Sequence, residues 1–136
     1  MHGCKALVLT SITFATMTLN GACAPQPQYQ GNSGLIATYK IRTLVVDLPS
    51  SASVPAVIAA AQDNFIGRGY SVPTSTTTDD VGMVVGIPPR TSDFPRVVVR
   101  ATAQGDHTHV EIINEPLPDQ SLARSVLDGI LEQLGL

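Results

Sequence analysis

Three side chains stand at a spacing that could bind a metal ion: His107, His109 and Glu111. Alternate residues of an extended strand share one face, so all three would leave the chain on the same side. Two imidazoles and a carboxylate suffice for a tetrahedral zinc site with one open position. That chemistry would make a metal-dependent periplasmic enzyme. The opposing reading is a solvated hairpin tip. A hairpin closed at Gly105-Asp106 sets Glu111 opposite Arg100, whose charge would repel a bound cation. The expectation is no metal, no cofactor and no catalytic site, with His107, His109 and Glu111 kept as the alternative.

Other candidate groups lack partners. Asp79 and Asp80 are adjacent, point apart on an extended chain, and read as turn formers rather than an acid–base pair. No serine lies in a G-x-S-x-G elbow. Gly82 and Gly86 precede no helix and so make no phosphate loop. The chain has 2 cysteines, Cys4 and Cys23, and no C-x-x-C. Basic residues number 8 against 11 acidic ones and are scattered, which leaves no patch for nucleic acid.

Cys23 follows a segment with its own pattern. Met1 to Lys5 is weakly positive, and Ala6 to Leu19 is apolar and uncharged. As a helix that run spans about 21 Å, short of a hydrocarbon core of about 30 Å. It reads as the core of a signal peptide, residues 1–22, removed after export. Leu19-Asn20-Gly21-Ala22-Cys23-Ala24 then resembles the lipobox of bacterial lipoproteins, with Asn20 where that family usually has leucine. The resemblance implies cleavage before Cys23 and acylation of it. Ala22-Cys23-Ala24 also has the A-x-A form of ordinary signal-peptidase cleavage, and that alternative stays open. In the family, Ala24 rather than aspartate after the cysteine implies transport to an outer membrane where one exists. The expected location is the cell membrane or outer membrane, lipid-anchored, with the domain facing the periplasm or the exterior.

Residues 23–35 follow as a lipidated cysteine and flexible tether, because Pro, Gln, Gly, Ser and Asn dominate them. Residues 36–136 are then one domain. Ile36 to Leu48 is rich in β-branched residues, but its apolar parity changes midway, which predicts a β-bulge or a break into two strands. Val54, Val57, Ile58, Ala61 and Phe65 form one helical stripe, opened by Ser53 and Pro55 and closed by Gly67 and Gly69. Tyr70 to Thr78 contains Pro73 and reads as an edge strand. Val81 to Ile87 is a short buried strand.

Pro95 to Gln104 and His107 to Glu115 flank Gly105-Asp106, a two-residue hairpin loop. The loop fixes a register that sets Arg100 opposite Glu111, Arg96 opposite Glu115, and Val99 opposite Ile112. A last helix starts at Asp119 and shows an apolar face from Leu122 to Leu134, with Arg124 and Asp128 on its outer side.

The order β-α-β-β-β-β-α predicts an α+β two-layer sandwich: a small antiparallel sheet with both helices on one face. In this outline, and in Arg42-Thr43-Leu44-Val45-Val46-Asp47, the chain resembles lipopolysaccharide-assembly lipoproteins. The export signal and the open sheet face together suggest a non-catalytic binding or accessory domain. Its expected partners are a membrane, through the lipid anchor, and an envelope protein, through the open face or the strand edge near Tyr70 to Thr78.

Overall fold

The computed structural model describes residues 25–89 and 95–136. Its elements in chain order are β1 (Gln26–Gln30), β2 (Leu35–Lys40), β3 (Thr43–Pro49), α1 (Val54–Gly67), β4 (Ser71–Thr77), β5 (Val81–Ile87), β6 (Arg96–Gln104), β7 (His107–Glu115) and α2 (Gln120–Leu134). The expectations for residues 1–22, for Cys23 and for the A-x-A sequence lie outside the described residues, apart from the tail of the tether.

The apolar stripe of α1 is buried as its spacing requires, with Val57, Ala61 and Phe65 fully enclosed. Ser53 Oγ accepts from the Ala56 N–H, relieving one unpaired donor of the first turn. At the other end Gly67 is still helical, Arg68 is the cap, and Gly69 alone takes a positive φ of 75°. Arg68 reaches from Asn64 Oδ1 (2.8 Å) to the carbonyl oxygen (2.7 Å) and hydroxyl (2.9 Å) of Ser125, joining the end of α1 to α2. The two helices run antiparallel, and Gly129 lies where Asn64 crosses. A Cβ at 129 would stand 1.8 Å from Asn64 Nδ2, so the glycine leaves room for that side chain between the helices.

The β6–β7 hairpin has the expected register over its whole length, from Gln104 opposite His107 to Arg96 opposite Glu115. Gly105 supplies the positive φ, 63°, that its loop needs. One face of β7 is Thr108, Val110, Ile112 and Asn114, all buried. The other carries His107, His109, Glu111, Ile113 and Glu115, each half-exposed.

The first third of the chain takes one of its two expected forms and departs from expectation once. Residues 36–48 are two strands, joined by a two-residue turn at Ile41-Arg42. Tyr39 lies opposite Leu44, so an odd and an even number share one face, and the parity change is the signature of a hairpin rather than of a bulge. The Arg42 N–H donates to Lys40 O, an i→i+2 bond across Ile41, whose φ is 52°. A γ-turn with that sign is rare and strained.

The departure is in the tether. Gln26–Gln30 is a strand paired antiparallel with β2 from Gln26–Tyr39 to Gln30–Leu35. Its polar residues fill no core. They bond instead to α2, whose Arg124 is buried at 8 % exposure and not on the outer face. Arg124 Nη2 donates to Gln26 O (2.9 Å), and Nη1 donates to Ala37 O (3.4 Å). With the Gln120 amide turned so that its oxygen faces Arg124, that oxygen accepts from Nε and Nη2 at 3.1 Å each. Gln30 Nε2 donates to Asp128 Oδ1 (3.1 Å), and the Asn32 N–H donates to Leu136 O (3.2 Å). Burial lowers the Arg124 pKa from its ordinary value, and the charge of Asp128 acts in the opposite direction. The oxygens of Gln26, Ala37 and Gln120 that accept from its guanidinium are neutral.

The seven strands form one antiparallel sheet in the order β1-β2-β3-β7-β6-β5-β4. Two meanders, β1-β2-β3 and β4-β5-β6-β7, meet at the β3–β7 pair, and α1 carries the chain from β3 at that seam to β4 at the edge. The element order is thus β-β-β-α-β-β-β-β-α, two strands more than the sequence pattern suggested. Both helices cover one face, which makes an α+β two-layer sandwich. Beneath α1, a Cβ at Gly86 would lie 2.7 Å from the Phe65 ring and one at Gly82 would lie 2.4 Å from Ile58 Cγ1. These two glycines let the helix lie close on β5, which is why they belong to packing and not to a phosphate loop. β4 is an edge strand, as Pro73 required, with a register shift between Ser71 and Thr74.

Candidate functional site

The open face of the sheet gathers the residues with candidate chemistry. Antiparallel pairing of β3 with β7 sets Asp47 opposite His109 and Pro49 opposite His107. His109 Nδ1 lies 2.7 Å from Asp47 Oδ1, and His107 Nε2 lies 3.8 Å from the same oxygen. The other ring nitrogens turn to other carboxylates: His107 Nδ1 to Asp106 Oδ1 (3.0 Å) and His109 Nε2 to Glu111 Oε1 (3.8 Å). The hydrogen bond from His107, reinforced by a backbone hydrogen bond at Asp106 itself, holds the Asp106 carboxyl below the usual carboxylate range.

His107, His109 and Glu111 therefore do share a face, as period two requires, yet they do not converge. Each imidazole spends its nitrogens on carboxylates instead of pointing both at one empty position. Among the described residues, no group of three or more His, Cys, Asp or Glu side chains could hold a metal ion. Asp47 with His109 is half of a base-and-orienter pair, but among the described residues no hydroxyl or thiol bonds to His109 Nε2, so a nucleophile is missing. The cluster presents polar and charged groups on the open face.

Arg100 and Glu111 face one another along the backbone, but no ion pair between them forms among the described residues. Arg96 Nε and Glu115 Oε2 do pair, at 2.6 Å. Asp79 and Asp80 lie in the exposed β4–β5 connection, where the Asp80 carbonyl accepts from the Ala103 N–H (2.8 Å). They form a turn, in agreement with their spacing.

A second place has the shape of a binding site without its chemistry. Where β6 starts and β7 ends, a cavity of about 540 Å³ opens between Pro88, Pro95, Asn114, Pro116 and Leu122. Its wall includes the Arg96–Glu115 pair. Asn114 is buried at 4 % exposure; its Nδ2 donates to Asp119 O, while its Oδ1 has no hydrogen-bond partner. The Tyr39 hydroxyl near this end is also buried without a partner. Its pKa is raised, first by burial and then by the Asp119 charge.

Sequence reasoning missed Asp47 and Arg124. Asp47 interrupts the apolar run Leu44 to Leu48 at an odd position, which marks it as outward-facing once β3 is paired with β7. Arg124 gave no such signal, because its nearer acceptor, Gln26 O, belongs to a strand taken for a tether. Compared with known proteins, the chain matches no family model and is not significantly similar to any curated protein.

Proposed function

We propose that this protein is a lipid-anchored domain of a bacterial envelope that works by binding rather than by catalysis. The observation that carries the reading is the placement of Cys23, a lone cysteine between an uncharged apolar run and a folded domain. The first strand begins at Gln26, three residues on, a reach of about 10 Å. An acyl chain on Cys23 would hold the sheet against the bilayer with no room for a long tether. Several acyl chains on one cysteine anchor stably, since each buried CH₂ contributes about 0.8 kcal/mol.

A binding role is supported by the open sheet face, which offers charge and aliphatic surface but no base joined to a nucleophile. Among the described residues no helix is long and apolar enough to cross a membrane. An envelope protein is the proposed partner of the open face or of the β4 edge. Metabolic labelling with a clickable palmitate tests the anchor. Wild type is expected to carry the label and Cys23→Ser to lose it. Label kept by the variant, or absent from both, rejects the lipoprotein reading.

A further inference from the structure

The two most exposed large apolar side chains of the described residues are Ile41 and Leu117, each 76 % exposed. They belong to loops far apart in sequence, the β2–β3 turn and the β7–α2 connection. The Arg42 Nη2 group donates to Pro116 O and ties these loops together. β1 starts at the same end of the sheet, because Gln26 pairs with Tyr39 beside the turn. The chain before Pro25, with its apolar run and Cys23, therefore joins the domain at the end that displays Ile41 and Leu117.

Charge at this end is weighted to cations, with Lys40, Arg42 and Arg96 against Glu115 and Asp119. Lys40 and Arg42 flank Ile41, and the described residues contain no ion pair of either. The nearby acidic groups are engaged: Glu115 with Arg96, and Asp119 with the first turn of α2, where its Oδ1 accepts from the Leu122 N–H (2.9 Å). Packing explains nothing about Ile41, which is exposed and sits at a positive φ that disfavours a β-branched side chain. Strain of this kind at an exposed position points to use of the side chain.

We propose that the Lys40-Ile41-Arg42 turn, with Leu117 beside it, is a membrane-contact tip that rests on anionic phospholipid next to the anchor. The inference rests on the lipid-anchored reading above. Ile41 and Leu117 enter the interface between headgroup and acyl chain, while Lys40 and Arg42 keep their charges at the phosphates. Acidic Asp47, Asp106 and Glu111, with the β4–β5 turn, then face away from the negatively charged surface or lie along its flank. The contact would fix the orientation of the domain, leaving the open sheet face accessible from the side.

The test uses the full chain, isolated from membranes and placed in vesicles of equal parts phosphatidylethanolamine and phosphatidylglycerol. An environment-sensitive thiol dye is attached at Ile41→Cys, at Leu117→Cys or, as the reference, at Val81→Cys. Val81 is 52 % exposed and opens β5 at the opposite end of the sheet. The same chain without an added cysteine gives the background. Lipid-borne nitroxide is expected to quench the dye at 41 and 117 at least two-fold more than at 81. Equal quenching at all three positions overturns the proposal. Lys40→Glu, an exposed change that leaves the Arg42 bond in place, is expected to reduce quenching at 117 in these vesicles. An unchanged value also overturns the proposal, because the proposal assigns the contact to these cations. The mass of Cys23 in the same preparation separates the two readings. Unmodified Cys23 sinks the lipoprotein, whereas quenching at 41 and 117 decides the tip.

Discussion

Two hairpins of one sheet turn on two-residue loops, Ile41-Arg42 and Gly105-Asp106. Each puts a positive φ on its first loop residue, 52° at Ile41 and 63° at Gly105. The second loop uses the residue this backbone favours. The first uses a side chain that the same region penalises by about 1–2 kcal/mol. The β6–β7 hairpin carries its own instructions: a glycine turn, nine-residue strands and a register that buries one face. The β2–β3 hairpin pairs over only three positions, Thr38–Val45 to Lys40–Thr43, and is held from outside by α2 and β7. Similar backbone forms thus arise from local sequence in one place and from tertiary contacts in the other.

The largest expected effect comes from removing the outside support. Arg124→Met keeps the length of the side chain but leaves the acceptors Gln26 O and Ala37 O without their donor. Stranding buried acceptors should destabilise the domain by about 2–4 kcal/mol. Urea unfolding gives the loss, and amide exchange should show it to be uneven. Amides of residues 26–40 should lose protection first, while β6 and β7 keep theirs. Loss spread evenly over both hairpins would mean that both depend on Arg124 alike.

Exchange of the two loop residues sharpens the comparison at an intermediate scale. Gly105→Ile should cost about 1–2 kcal/mol, since it places a β-branched residue at positive φ where nothing requires one. Ile41→Gly should gain about 0.5–1 kcal/mol, after allowing for the greater freedom of glycine in the unfolded chain. Thermal midpoints should therefore move in opposite directions. If Ile41 is also the membrane-contact residue, the stabilised variant should bind vesicles less well. A drop in midpoint for Ile41→Gly would show that the side chain supports the fold.

The same contrast explains what was legible in the sequence. Both helices, the β6–β7 register, the α+β class and the placement of both helices on one face follow from apolar period and from glycine, aspartate and proline at turns. The hairpin at Ile41 was written in parity alone, because Lys40-Ile41-Arg42-Thr43 contains no turn-forming residue. β1 was illegible for a different reason: Gln26-Pro27-Gln28-Tyr29-Gln30 has the composition of a linker, and its partner Arg124 lies 98 residues from Gln26. At the candidate site, the shared face of His107, His109 and Glu111 follows from strand period. The diversion of their side chains to Asp47 and Asp106 depends on the β3–β7 pairing, which no local pattern encodes.

The smallest effect separates backbone register from side-chain contact within the better-encoded hairpin. Arg96 and Glu115 are opposite in register and their charged atoms lie 2.6 Å apart, with both side chains about one-third exposed. Arg100 and Glu111 are opposite in the same register, but Glu111 Oε1 is turned to within 3.8 Å of His109 Nε2. Solvent screening limits even the formed pair, so a double-mutant cycle on Arg96 and Glu115 should give a coupling of about 0.5–1 kcal/mol. The cycle on Arg100 and Glu111 should give less than about 0.3 kcal/mol, within the range of independent sites. Equal couplings would mean that cross-strand position alone sets the interaction. Unequal ones locate the difference in the carboxylate that His109 draws away, so that His109→Ala should raise the Arg100–Glu111 coupling toward the value of the other pair.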